Sequence, residues 1–170
     1  MKDTRKMIVV LALAALNVAI GFGESYIPAP ISAIPFVKIE LSLFVALTAV
    51  TLYGPLEGVL VYGVKCLVMG LILKSPSLII YTIVASVVCF GLYYLCLWAK
   101  CGVLPAAFVG GVGYALGYYS MAAAVLASGA VFGSFPIAAL FLGAVTMVWG
   151  VPAFFINKYV PREWITSIKQ

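Results

Sequence analysis

Lys65 is the residue whose position says most about chemistry, because it lies midway along an apolar stretch. A lysine at the centre of a membrane helix costs about 2.5–3.5 kcal/mol on insertion scales, so its ammonium group is expected to face a partner or a cavity. One interpretation is an ion pair with a buried carboxylate. Glu57 is expected at the cytoplasmic end, however, and Glu24 and Glu40 toward the outer side, which favours a lysine that binds a ligand.

Other charged and aromatic side chains extend this candidate site. Lys38 and Glu40 flank the start of the second predicted helix, where they are either solvated at the membrane surface or close the mouth of a pocket. Tyr114 and Tyr118 lie one turn apart beside a Gly-xxx-Gly spacing, which indicates either a packing seam or a pocket wall. The two lysines favour an anionic or neutral substrate. The full set of candidate substrate-binding residues is Lys38, Glu40, Lys65, Tyr81, Tyr114, Tyr118 and Trp149.

The composition argues against catalysis and metal binding. The chain has no histidine, which excludes a Ser–His nucleophile pair, and its single aspartate is Asp3 in the N-terminal tail. The carboxylates are not clustered as a metal-dependent transferase requires, there is no phosphate-binding loop, and none of the four cysteines belongs to a CxxC pair. We therefore predict a protein that is not an enzyme and uses neither a metal nor a cofactor.

The overall composition predicts that lipid surrounds the chain. Of the 170 residues, 65% are hydrophobic and 9% are charged, against roughly 45–50% and about 25% in soluble domains. Because a spanning helix needs about 20 mostly apolar residues, we predict a single all-α integral membrane domain, a bundle of six transmembrane helices. The predicted helices are residues 7–23, 39–53, 56–73, 78–99, 103–127 and 136–156, and the proline-rich segment 24–38 is predicted to form a structured outer loop.

The basic residues predict the orientation of this bundle. Seven lysines and arginines fall on the side of the two termini and two on the opposite side. The positive-inside rule then places both termini in the cytoplasm. The same distribution accounts for the net charge of +5 without any binding of nucleic acid.

The first helix carries small residues on one face. Ala15, Ala19 and Gly23 follow each other at intervals of four residues, a spacing that lets two membrane helices approach closely. This face either packs inside the bundle or docks another protein.

Three stretches of the chain carry a family resemblance. They are the Ala15-xxx-Ala19 face after a basic tail, the stretch 35–42, which is similar to a "KxDLS" motif, and the stretch 53–65, which is similar to a "GPxxG…K" helical hairpin. Together they resemble the substrate-binding S components of energy-coupling factor (ECF) transporters, of the riboflavin type. Glu40 stands where the riboflavin-type motif has aspartate, and the missing histidine excludes the nickel and cobalt members.

The resemblance implies a function and a set of partners. It implies a membrane subunit of a prokaryotic plasma membrane that captures a vitamin or related micronutrient on the outer side. For such a subunit we expect the pocket between the fourth, fifth and sixth helices. The resemblance also implies a transmembrane coupling subunit (T component), which docks on Ala15 and Ala19 with Gly23 on the same face, and two ATP-binding-cassette (ABC) ATPases. The stretch 73–81 is similar to the "Gx" branch, associated with heptaprenyl diphosphate synthase component I. The alternative is therefore a membrane scaffold or accessory protein of that type, without a tight small ligand.

Overall fold

Six α-helices make up most of the residues that the structure, a computed structural model, describes, namely residues 2–27, 40–74, 76–126 and 134–159. In chain order they are α1 (Lys2–Glu24), α2 (Ser42–Tyr53), α3 (Pro55–Ile72), α4 (Pro76–Trp98), α5 (Val103–Leu126) and α6 (Phe135–Tyr159). The described residues include no β-strand, which confirms the prediction of an all-α protein.

The helix boundaries differ from the predicted ones by a few residues. α1 begins at Lys2 rather than at residue 7, because the basic tail continues the same helix. α2 begins at Ser42, three residues later than predicted. The Ser42 amide donates to a carboxylate oxygen of Glu24, so a side chain from α1 satisfies one of the open N–H groups at the start of α2. The predicted outer loop falls mostly outside the described residues.

Within the described parts of the chain, four helical segments are long and apolar enough to cross a membrane, judged by length and composition. They are Thr4–Glu24, Pro55–Ile72, Ile79–Trp98 and Phe135–Ile156. α2 is a shorter apolar helix of 12 residues, which at 1.5 Å per residue spans about 18 Å, less than the roughly 30 Å of a hydrocarbon core. Large apolar side chains such as Leu60, Trp98 and Leu140 are exposed on the outside of the bundle. These features are consistent with a membrane-embedded protein.

The helices pack as a ring of five with α1 outside it. α2 packs on α3, α3 on α4, α4 on α5, α5 on α6, and α6 returns to α2, which closes the ring. α1 packs only on α2 and α3 in any extensive way. Its inner face therefore covers the α2–α3 pair, and its outer face is left open.

Glycines set the close spacing of α5 against its two neighbours. A Cβ atom built on Gly117 would lie 2.8 Å from the Cα atom of Ala85 in α4, and one built on Gly110 would lie 3.2 Å from the carbonyl oxygen of Cys89. On another face of α5, a Cβ atom on Gly111 would overlap the Thr146 hydroxyl of α6. The Gly-xxx-Gly region of α5 is thus a packing seam, one of the two interpretations that the sequence left open.

The turn between α2 and α3 explains the glycine–proline motif. Gly54 has φ +122°, in a region that disfavours residues with a side chain, and Pro55 occupies the first turn of α3, where its missing N–H does no harm. One turn later, a Cβ atom on Gly58 would overlap Val50 of α2. The motif therefore makes a tight antiparallel hairpin that fixes where Lys65, further along α3, meets the other helices.

Candidate binding site

Lys65 is buried and paired with two carboxylates. Its Nζ atom lies 3.3 Å from Oε2 of Glu24 and 3.7 Å from Oε2 of Glu40. The side chains of Lys65 and Glu24 are 11% and 6% exposed, and that of Glu40 is 17% exposed. We call these three residues the buried charge cluster. The interpretation of Lys65 as a partner in a buried ion pair therefore agrees with the observed distances. Both Glu24 and Glu40 take part in that pair.

Glu24 is held by the start of α2 as well as by Lys65. Its two carboxylate oxygens accept hydrogen bonds from the amide and the hydroxyl of Ser42, the latter at 3.0 Å. A carboxylate at a helix N-terminus also lies at the favourable end of the helix dipole. Glu24 thus ties the end of α1 to the beginning of α2.

Glu40 is bracketed by two tyrosine hydroxyls. Tyr62 of α3 donates to Oε2 of Glu40, and Tyr114 of α5 donates to Oε1 at 2.8 Å. The two hydroxyl oxygens lie 3.0 Å apart, and the two rings meet edge to face with 6.4 Å between centroids. Both tyrosines are buried. Glu40 therefore joins α3 and α5 immediately before α2 begins.

The backbone of α1 leaves room for the lysine side chain. A Cβ atom on Gly21 would lie 2.8 Å from Cε and 2.9 Å from Cγ of Lys65, so any larger residue would force the lysine side chain to shift. The Lys65 ammonium group also lies over the Tyr62 ring, 4.8 Å from its centroid, in the arrangement of a cation–π contact. Gly21 and Tyr62 together direct the ammonium group toward the two carboxylates.

Asn17 continues the polar side of α1 one turn below Gly21. It is fully buried, and its Nδ2 atom donates to the carbonyl oxygen of Val61, which precedes Lys65 by one turn of α3, at 3.2 Å. Its Oδ1 atom is also buried and has no hydrogen-bond partner among the described residues. An unpaired buried acceptor costs about 1–3 kcal/mol, so a donor is expected to reach it in the working state.

The opposite side of α1 carries the small residues. Ala15, Ala19 and Gly23 are exposed, and a Cβ atom on Gly23 would have no neighbour within 4 Å. The spacing allowed either packing inside the bundle or docking of another protein. In the isolated chain this face does not pack inside the bundle, so the first interpretation is wrong. α1 presents its polar side to the buried charge cluster and its small-residue side to the surroundings.

The predicted substrate-binding residues fall into three groups. Glu40, Lys65 and Tyr114 meet in or against the buried charge cluster, as described above. Tyr81 and Tyr118 form an edge-to-face pair with 5.7 Å between ring centroids, and Tyr118 follows Tyr114 by one turn. Trp149 of α6 packs against the core, and its Nε1 atom has no hydrogen-bond partner among the described residues. Lys38 lies outside the described residues.

Sequence reasoning placed the pocket between the fourth, fifth and sixth helices and missed part of the site. The buried charge cluster instead lies where α1, α2, α3 and α5 meet, and it adds Glu24, Ser42 and Tyr62 to the predicted residues. The signal for Glu24 was present in the spacing of α1, because Asn17, Gly21 and Glu24 lie on one side of the helix, opposite the small residues. Glu57 pairs instead with Lys6 near the start of α1.

Among the described residues, no group of three or more His, Cys, Asp or Glu side chains is placed to hold a metal ion. The cluster offers carboxylate and hydroxyl acceptors beside one ammonium group. What this arrangement can do is recognise a polar or charged group by ion pairing and hydrogen bonding in a low-dielectric setting.

Comparison of the chain with protein-family models, with curated proteins and with solved structures finds no match.

Proposed function

We propose that this protein is the substrate-capture subunit of an ECF-type importer, which takes up a vitamin or a related small micronutrient. In this proposal its bundle of six helices is embedded in the plasma membrane of a prokaryotic cell, with both termini in the cytoplasm. The chain binds the substrate on the outer side and is not an enzyme. Energy for uptake comes from its partners, a transmembrane coupling subunit (T component) and two ABC ATPases.

The observation that carries the proposal is the buried charge cluster. Burying ionised groups is costly unless they are paired and hydrogen-bonded, so such clusters inside membrane proteins are functional candidates by default. This one joins four helices, and its two carboxylates come from the end of the bundle where α1 ends and α2 begins. In the proposed orientation that end faces the outside of the cell, where a captured substrate would arrive.

The two sides of α1 support a division of labour within one helix. Its polar side supplies Glu24 to the cluster, and its other side exposes Ala15, Ala19 and Gly23. Small residues let a second membrane helix approach closely enough for van der Waals contact along the backbone. The proposal assigns this exposed face to the coupling subunit. Substrate binding and docking would then act on opposite sides of the same helix.

Purification of the protein by itself tests the proposal. Any small molecule that co-purifies is identified by mass spectrometry, and its effect on thermal stability is measured after the protein has been stripped of it. A specific ligand at 100 times its Kd stabilises the protein by about 2.7 kcal/mol. If no compound co-purifies and a panel of vitamins leaves the melting temperature unchanged, the scaffold alternative replaces the proposal.

A further inference from the structure

Among the described residues, the charges of the buried charge cluster do not balance. Lys65 contributes one positive charge, and Glu24 and Glu40 contribute two negative charges when all three are ionised. An unpaired charge inside a membrane protein is costly and calls for a counter-charge. Building on the proposed function, we infer that the substrate presents a positively charged nitrogen group, an ammonium or a nitrogen cation in a ring, to Glu40.

Lys65 is poorly placed to receive an anionic substrate. Its ammonium group is already shared between two carboxylates at 3.3 and 3.7 Å, and one of its sides is covered by the Tyr62 ring. An anion brought to Lys65 would also meet the carboxylates of Glu24 and Glu40, and like charges in a low-dielectric site repel strongly. The expectation of an anionic or neutral substrate, drawn from the lysines alone, is replaced by this one.

Of the two carboxylates, Glu40 is the one whose negative charge is less fully paired with Lys65 and can pair with a substrate. It is the more distant of the two from Lys65, and its side chain is 17% exposed against 6% for Glu24. Glu24 is also held by the amide and hydroxyl of Ser42, whereas Glu40 is held by the phenolic hydroxyls of Tyr62 and Tyr114. A cationic group would complete the cluster by pairing with Glu40.

A second and independent observation also calls for a donor on this side of α1. The buried Oδ1 atom of Asn17 has no hydrogen-bond partner among the described residues, and Asn17 lies one turn from Gly21, over which the Lys65 side chain passes. The charge count therefore favours an occupant that brings positive charge, and Asn17 leaves one buried acceptor open to a donor.

The test uses the purified full-length chain and a panel sorted by charge. Thiamine represents the cations, riboflavin the neutral compounds and biotin the carboxylates, and any co-purified compound is added to the panel. We expect stabilisation by a cationic compound. Stabilisation by a neutral or anionic compound alone would overturn the inference and leave the proposed function standing. The absence of any stabilising or co-purified compound would overturn both.

One variant and a matched control test whether the charge of Glu40 binds the cationic compound. Glu40→Gln should weaken binding of the cationic compound at least tenfold, whereas Glu57→Gln, the same change at the opposite end of the bundle, should leave it unchanged. Equal affinities for the Glu40→Gln variant and the wild type would overturn the inference. A third variant, Lys38→Met, tests whether Lys38 supplies the second positive charge that Glu24 and Glu40 require. If Lys38→Met without ligand lowers the melting temperature as much as Lys65→Met does, the chain supplies its own counter-charge and the inference fails.

Discussion

The side chains of Glu24 and Lys65 meet across the interface of α1 and α3, with 3.3 Å between Oε2 and Nζ. α1 lies outside the ring of the other five helices and packs only on α2 and α3 in any extensive way. The ion pair is therefore a main polar attachment of this peripheral helix, beside the hydrogen bond of Asn17 to Val61. A change in the charge cluster is in a position to alter how α1 lies against the bundle.

Removal of the lysine should destabilise the protein strongly. Lys65→Met leaves Glu24 and Glu40 buried without their cation, and breaking a buried pair in this way costs about 3–5 kcal/mol. Unfolding of the purified protein in detergent measures the change. Lys74→Met is the matched control, because Lys74 is exposed in the turn after α3 and should move stability by no more than about 0.5 kcal/mol. Equal stability of the two variants would show that the cluster contributes nothing to folding.

Two glycines of α1 should respond differently to the same change. Gly21→Ala places a methyl group against Cγ and Cε of Lys65, at 2.9 and 2.8 Å, and should cost about 1–3 kcal/mol through overpacking. Gly23→Ala meets no atom within 4 Å and should be neutral or stabilising by up to about 1 kcal/mol, since alanine favours helix more than glycine does. Thermal melts of both variants provide the comparison. The reverse order of stabilities would contradict the path described for the lysine side chain.

The hydroxyl of Tyr114 should stabilise the protein through its hydrogen bond to Glu40. Tyr114→Phe keeps the packing but removes the donor to Oε1 of Glu40, which should cost about 1–3 kcal/mol. Tyr94→Phe makes the same change at an exposed position of α4 and serves as control. A cycle with Glu40→Gln isolates the pair, and the two changes should be non-additive by at least about 0.5 kcal/mol. Full additivity would mean that the hydrogen bond does not form.

The exposed face of α1 should be required for assembly but not for substrate binding. Ala15→Trp or Ala19→Trp places a large side chain where the proposal docks the coupling subunit, and either should abolish complex formation and uptake. Binding of the substrate by the isolated variant should stay within a factor of about two of wild type. Leu140→Trp, on an exposed position of α6, is the control. Intact complexes with both alanine variants would remove the docking assignment.

Much of the fold follows from hydropathy and from glycine and proline positions. The six helices were predicted within a few residues at most ends, since Gly54-Pro55 and Lys100-Cys101-Gly102 interrupt long apolar runs. The start of α2 was misplaced because Ser42 is capped by Glu24, 18 positions earlier in the chain. A contact between residues so far apart in the sequence does not affect the local helix propensity from which the start of α2 was predicted.

The site was predictable only in part. A lysine within an apolar helix predicts that a charged or polar partner lies nearby. Glu40 and Tyr114, which do lie in or against the cluster, were among the predicted residues. Which carboxylate reaches Lys65 depends on how the helices are rotated, and hydropathy does not determine rotation in lipid, where every face of a helix is apolar. Gly21 illustrates the point, because its role exists only through the Lys65 side chain that passes it.

We propose that the isolated chain binds a small substrate at the buried charge cluster. Equilibrium dialysis of the purified protein against the co-purified compound, carried out in parallel with the Glu40→Gln and Glu57→Gln variants, measures this directly. We predict one saturable site in the wild type, an affinity at least tenfold weaker in Glu40→Gln, and no change in Glu57→Gln. The absence of saturable binding, or equal affinities in all three proteins, would contradict it.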